Sequence, residues 1–480
     1  MEGIMGRLVS TFFDSVIGKR GSFFKFVAVS LLLVLHGITA DGGDDGNCTY
    51  SLSYSQRPHS VSLLEFGAVG DGVTMNTVAF QNAVFYLRSF ADKGGAQLYI
   101  PKGKWLTGSF NLTSHLTLFL DRGAIILGSQ DISQWPLVDP LPSYGRGKEQ
   151  LSGRYRSLIN GNNLTDVVIT GENGTIDGQG PIWWESYLSH SLNYSRPHIL
   201  EIVSSTDILI SNLTLLNPPD FSIHPVYSSN VQIQNIVIHS SPDSPFTSGI
   251  VPDSCWDTCI EGGSISVGHD GIALKSGWDQ YGISFGKPSS AIHITQVSIQ
   301  ASDGSALAFG SEMSGGISDI HVDNLHIHNS LTAIKFKTTE GRGGFMENIV
   351  ISDTVMENVN TAIHFTGHCG DHPDDKYDPT ALPKISRITL KNIIGHNVSV
   401  AGVLTGISGD PFTDICLSNI ALAITSDPSA SWTCSNVSGF SESVVPQPCP
   451  DLIQITYANI SYQCFSLVVG HQFGGSALPE

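Results

Sequence analysis

Past residue 160 one short pattern keeps returning, in the order polar, polar, apolar, any, apolar, any, polar. It reads TDVVITG from Thr165, TDILISN from Thr206, SNVQIQN from Ser229, DTCIEGG from Asp257 and SAIHITQ from Ser290. It continues as SDIHVDN from Ser318, ENIVISD from Glu347, SRITLKN from Ser386 and TDICLSN from Thr413, mostly at intervals of 20 to 40 residues. Alternation of Val, Ile and Leu at period two marks short strands with one buried face, and the Gly, Asn, Asp and Ser clusters between them are turns. A strand-turn unit of this size cannot bury its apolar face alone, so successive units must stack. The pattern therefore predicts an all-β solenoid, a right-handed parallel β-helix, with the longer intervals placing loops on one side where a groove can form. A sandwich or propeller fits less well, because N-G or D-G hairpin signals between two strands are few.

Composition supports this. Only 14% of the 480 residues are charged, against the roughly 25% usual for globular chains, and there are 50 glycines. Charged, Ala-rich helices are accordingly scarce. A solenoid needs covered ends. In FGAVGDGVTMNTVAFQNAVFYLRSFADKGG, Phe80, Ala83, Val84 and Leu87 recur at helical spacing. Asn76 or Thr77 is the N-cap candidate and Gly94 the stop. This N-terminal capping helix would close the first coil, and the Pro/Ser-rich, cysteine-containing stretch from about Asp427 would close the last.

Lys19, Arg20 and Lys25 precede the apolar run FVAVSLLLVL and small residues ending at Ala40, the layout of a secretory signal. The run is shorter than the ~20 residues of a membrane helix. The expected division is a signal peptide (1–40), a mature extension (41–59), the solenoid domain (60–452) and a C-terminal tail (453–480), a secreted, extracellular protein with no membrane segment in its mature form; an uncleaved N-terminal anchor is the alternative. All 8 cysteines follow Ala40, which in an oxidising compartment points to disulfides. Cys434 with Cys449 is the favoured pair. Cys255 and Cys259 are expected to bond to other cysteines or to each other. Nine N-x-S/T sequons, at Asn47, Asn111, Asn163, Asn173, Asn193, Asn212, Asn397, Asn436 and Asn459, agree with export. The formal net charge of -19 repels nucleic acid at long range, and an acidic polysaccharide would require a local cationic patch.

The cap motif FGAVGDGVTMNTVAFQNAV, the repeats, and the stretches KSGWDQYGISFGKPSS, GSEMSGGISD and KTTEGRGG together resemble the polygalacturonases, glycoside hydrolase family 28, from about Ser60 to Leu452. The resemblance implies a pectin lyase-like right-handed parallel β-helix and inverting hydrolysis of α-1,4-galacturonan, the pectic polysaccharide of plant cell walls. No cofactor or metal is expected, and the expected state is a monomer. An inverting glycosidase needs a proton donor and a carboxylate base ~6.5 to 9.5 Å apart. In the family these come from N-T-D and G-D-D motifs, supported by G-H-G and by R-I-K, whose cations hold substrate carboxylates.

This chain departs from that pattern. Against N-T-D it has Phe246, Thr247 and Ser248; against G-D-D, Gly268, His269 and Asp270. Against G-H-G it has Gly304, Ser305 and Ala306; against R-I-K, Lys335, Phe336 and Lys337. Asp270 is thus the surviving carboxylate and the candidate base, with a turn aspartate as its structural alternative. His269 is the candidate acid, since an imidazolium with a pKa near ~6.5 donates in a mildly acidic medium. Lys335 and Lys337, two apart on a strand, face one side. With Arg342, Ser248 and Ser305 they are the expected substrate-binding set.

Other groups carry less. HCGDHPDD, His368 to Asp375, has metal-ligand types without a recognised spacing and reads as a solvent loop. His326 and His328 share an exterior strand face. Asp243 and Asp253 flank the altered first motif as alternative carboxylates. A pectin-directed glycosidase of reduced activity is the leading expectation. A non-catalytic pectin-binding protein retaining the groove is the alternative, followed by an enzyme for another wall glycan. Lyase action is disfavoured because the matching residues belong to the hydrolase pattern.

Overall fold

Strand follows strand in parallel register through a 27-stranded sheet that winds along the chain. The computed structural model describes residues 56–425, 431–452 and 464–466, all within the compact unit Tyr50–Leu467. The proposed signal peptide, Cys48, Asn47 and Asn459 lie outside the described residues. Among those residues no helix is long and apolar enough to cross a membrane.

Each recurrent pattern segment forms a strand paired with the matching segment one coil away. Ile208 pairs with Val231, Val231 with Thr258, and Thr258 with Ile292. This is the expected right-handed parallel β-helix, since consecutive parallel connections take the right-handed sense, and it excludes the sandwich and propeller. Apolar columns fill its interior, including the rings of Phe309, Phe336 and Phe365, stacked at 4.4 and 4.3 Å between centroids.

The second residue of the pattern turns the chain between sheets. Asp166, Asp207, Asn230, Ala291, Asp319, Asn348, Arg387 and Asp414 all sit at φ between 49 and 58°, as does Asp257 at the head of its own segment. Asp and Asn tolerate this left-handed region through local side-chain hydrogen bonds, which explains their recurrence. Neighbouring amides then ladder from coil to coil: Asn392 donates to Asp353 at 3.0 Å and Asn419 to Asn392 at 2.9 Å.

The cap forms as expected. Helix Thr77–Leu87 buries Ala79, Phe80, Ala83, Val84 and Leu87, with Phe80 stacked on Phe110 at 4.5 Å. Asn76 stands at the N-cap, but its side chain makes no capping bond and instead accepts from Val69 N at 2.7 Å and donates to Leu106 O at 3.2 Å. A 3-10 turn Arg88–Lys93 extends the helix to Gly94, whose φ of 88° ends it.

At the other end the coil runs further than expected. Strands Trp432–Ser435 and Val437–Val445 add a further layer, because Trp432 and Val437 continue the apolar columns. Cys434 bonds Cys449, as expected, and Cys416 bonds Cys464. Cys255 is a correction. It is a free, buried thiol donating to Pro225 O at 3.2 Å, and burial pushes its pKa up to about 12. Cys259 is disulfide-bonded.

Ala291 has no side-chain acceptor to offset its left-handed backbone. Ala291→Asn is expected to stabilise the fold by about 1 kcal/mol, read as a raised midpoint in denaturant unfolding.

Candidate active site

The register brings the altered motifs into one column. Ser248 N donates to Asp220 O at 3.1 Å, Gly249 N to Asp270 O at 3.0 Å, and Gly271 N to Ser305 O at 2.9 Å. Asp220, Ser248, Asp270 and Ser305 therefore stand at the same edge of four successive coils. All four are buried.

Asp270 is held from two sides. Lys337 Nζ donates to its Oδ2 at 2.6 Å, and Ser305 N donates to its Oδ1 at 3.0 Å. Burial alone would raise its pKa, but His269, Lys337 and the Lys337 hydrogen bond outweigh this, so the carboxyl stays ionised well below the usual carboxylate range. Lys337 is reciprocally raised: burial would favour the neutral amine, and the charge of Asp270 overrides it.

His269 Nδ1 lies 3.6 Å from Asp270 Oδ2. Its pKa falls to about 4, because burial outweighs the attraction of Asp270 and because Lys337, Lys148 and Lys275 oppose a further positive charge. A pKa this low favours the neutral imidazole in a mildly acidic medium and speaks against a charged donor there. Its ring lies 5.1 Å from that of Phe246. Phe246 is 51% exposed and has φ of 52°. The family's first motif has an asparagine at that position, a residue suited to left-handed backbone, so the bulky replacement sits in strain at the groove.

The lysines share a face but not a partner. Lys335 and Lys337 flank the inward-stacked Phe336. Lys335 is partly exposed and makes no ion pair among the described residues. Arg342 is placed elsewhere than expected. Its guanidinium is fully buried, bonded to Asp279 and, at 3.0 Å, to Asp371 O. Positive φ at Gly341, Gly343 and Gly344 folds its loop inward, so it clamps the fold rather than facing the groove.

The HCGDHPDD segment is likewise a strap rather than a free solvent loop. His372 Nδ1 meets Asp279 Oδ2 at 2.6 Å, Trp278 Nε1 donates to Asp371 O at 2.8 Å, and Tyr281 OH to Asp374 at 2.8 Å. Asp243 is exposed, and Asp253 is buried with Tyr144 donating to it. Neither joins Asp270.

Sequence reasoning missed the neighbouring charges. Lys275 and Glu312 form a buried pair, although both lie within the stretches that carry the resemblance. An open pocket of about 420 Å³ is lined by Arg146, Lys148, Arg154, Arg196, His198 and Asp220 among others. Arg154 donates to both oxygens of Glu201, at 2.6 and 2.7 Å. Arg196 is committed to Glu149 and to Pro219 O and Pro245 O. Lys148 makes no ion pair among the described residues and lies 4.4 Å over the Phe221 ring. His198, Glu201 and His224 are close enough to surround a cation, but the Arg154 guanidinium already occupies Glu201, so the set does not suit one.

The profile of the family described as Glycosyl hydrolases family 28 matches residues 92–446. A "Probable polygalacturonase" of Vitis vinifera is 48% identical over 438 residues, covering 90% of this chain and 89% of its own. Among solved structures, an exopolygalacturonase from Thermotoga maritima superposes with a TM-score of 0.70 at 26% identity, covering 83% of this chain and 92% of its own. A polygalacturonase from Erwinia carotovora shares the fold, with a TM-score of 0.65 at 20% identity over 82% of this chain and 99% of its own.

Lys337→Met leaves Asp270 buried without its cation. It is expected to cost ~3–5 kcal/mol of unfolding free energy, measured by denaturant titration at neutral pH. His269 is depressed from its unfolded value, so its contribution to stability is present above about pH 6.5 and is lost as pH falls toward about 4. The difference in unfolding free energy between the wild type and His269→Gln should therefore change by about 1 kcal/mol per pH unit within that window.

Proposed function

Since the chain belongs to glycosyl hydrolases family 28, we propose that it is a secreted glycosidase acting on the α-1,4-galacturonan of the plant cell wall, with inversion. The observation that carries this reading is Asp270, an ionised carboxylate fixed by Lys337 and Ser305 N in a trough bordered by cations. An ionised carboxylate is what a water-activating base requires. Lys148 and Lys335, neither engaged by a carboxylate among the described residues, are the groups for substrate carboxylates. Ser248 and Ser305 flank the base and complete the trough.

The same geometry supports slow turnover. A carboxylate held so far below its ordinary pKa is a weak base, and His269 is neutral where such an enzyme would work. These two facts favour, as the second reading, a galacturonan-binding protein without turnover.

Reducing-sugar release from oligogalacturonides separates the two. The hydrolase reading expects Asp270→Asn to lower the rate by ~10²-fold or more. Equal background rates for the wild type and this variant would sink it. Binding of the same oligosaccharides that weakens in Lys335→Ala would then support the second reading.

A further inference from the structure

Two of the carboxylates that the family's motifs supply are replaced here, by Ser248 and His269, yet one unengaged carboxyl stands in the adjoining coil. Asp220 is 2% exposed and lines the cationic pocket. Its Oδ1 is buried without a hydrogen-bond partner. Arg196 Nη2 is 3.8 Å away and committed to Glu149. His198 Nδ1 is 3.7 Å away, but that nitrogen accepts the Phe221 N–H at 3.2 Å and so has no proton to offer Asp220. A buried carboxyl with no donor aimed at it is a poor structural element and a suitable acid.

Its place fits that use. Asp220 and Asp270 stand just before strands that are two steps apart in the ladder. At ~4.8 Å per step their backbones are about 10 Å apart, on the scale of the ~6.5 to 9.5 Å between carboxyls of an inverting pair.

Resting on the hydrolase reading above, we infer that Asp220 is the proton donor of this site, a role moved one coil from the altered motifs. Its carboxyl gives its proton to the glycosidic oxygen as the bond from that oxygen to the anomeric carbon breaks and the electron pair stays on oxygen. Water attacks the anomeric carbon and passes its proton to Asp270. Afterwards Asp270 loses that proton to solvent and Asp220 regains one. Lys148, above the Phe221 ring, draws in the uronate carboxylate beside the linkage.

Protonation is consistent with the geometry. Burial raises the Asp220 pKa to about 6, against the attraction of Lys148, Arg196 and His224 and with the repulsion of Glu149. His198 beside it is kept neutral, chiefly by burial. A raised acid is protonated, and active as a donor, below about pH 6.

The test pairs Asp220→Asn with Asp270→Asn on oligogalacturonides and on an aryl galacturonide with a dinitrophenolate leaving group, which departs without protonation. Asp220→Asn should lose ~10² to 10⁴-fold on the oligosaccharide, retain the aryl substrate within a few fold, and lose the decline in rate above pH 6. Asp270→Asn should lose both substrates. Retained oligosaccharide cleavage in Asp220→Asn, with Asp270→Asn inactive, overturns the donor role and leaves the hydrolase reading intact. Equal loss of both substrates in a folded Asp220→Asn protein also overturns it. Wild-type rates no higher than those of Asp270→Asn on either substrate defeat the hydrolase reading and the donor role together.

Discussion

Parallel stacking at constant register is the constraint from which the rest follows. Each residue of one coil faces its counterpart in the next at ~4.8 Å, so the molecule is a set of columns. An apolar column gains from this at every step, as the Phe309, Phe336 and Phe365 rings do. A charged column does not, because like charges at that spacing repel strongly when buried. The groove resolves the conflict by pairing opposite charges between coils, Asp270 with Lys337 and Glu312 with Lys275. Asp220 stands out because Arg196, a cation near it, is spent on Glu149.

The solenoid was legible because its signal is repeated. Each Thr-Asp or Ser-Asn entry marks a backbone reversal that few residues tolerate, and the alternating Val and Ile after it mark the buried face. The resemblance singled out Asp270 and Lys337, but as a base and a substrate-binding cation, and their pairing emerged only from the structure; Cys434 with Cys449 followed from the short loop between them. The reach of the last coil was obscured by proline and serine around residue 445, which read as tail although Trp432 and Val437 continue the columns.

What stayed hidden has a common cause: the partner of a buried charge is set by coils far away in sequence. Arg342 lies in a glycine-rich stretch that reads as exposed, yet the glycines turn it inward onto Asp279. Arg146, Lys148 and Glu149 belong to a segment outside the repeat, with no period to say which face they take. His269 looked suited to carry charge because its ordinary pKa is favourable, but burial, with Lys337, Lys148 and Lys275 nearby, reverses that. Phe246 retains the backbone shape of an asparagine without its chemistry.

Columnar order also limits how such a chain can change in length. One residue inserted into the strand His326–Lys337 would exchange inward and outward sides from that point on, turning Phe336 toward the groove and a lysine into the apolar interior. Gains and losses of residues are therefore confined to the bends between strands. Natural variants of this architecture should differ in the walls of their trough and keep its floor at one unvarying count.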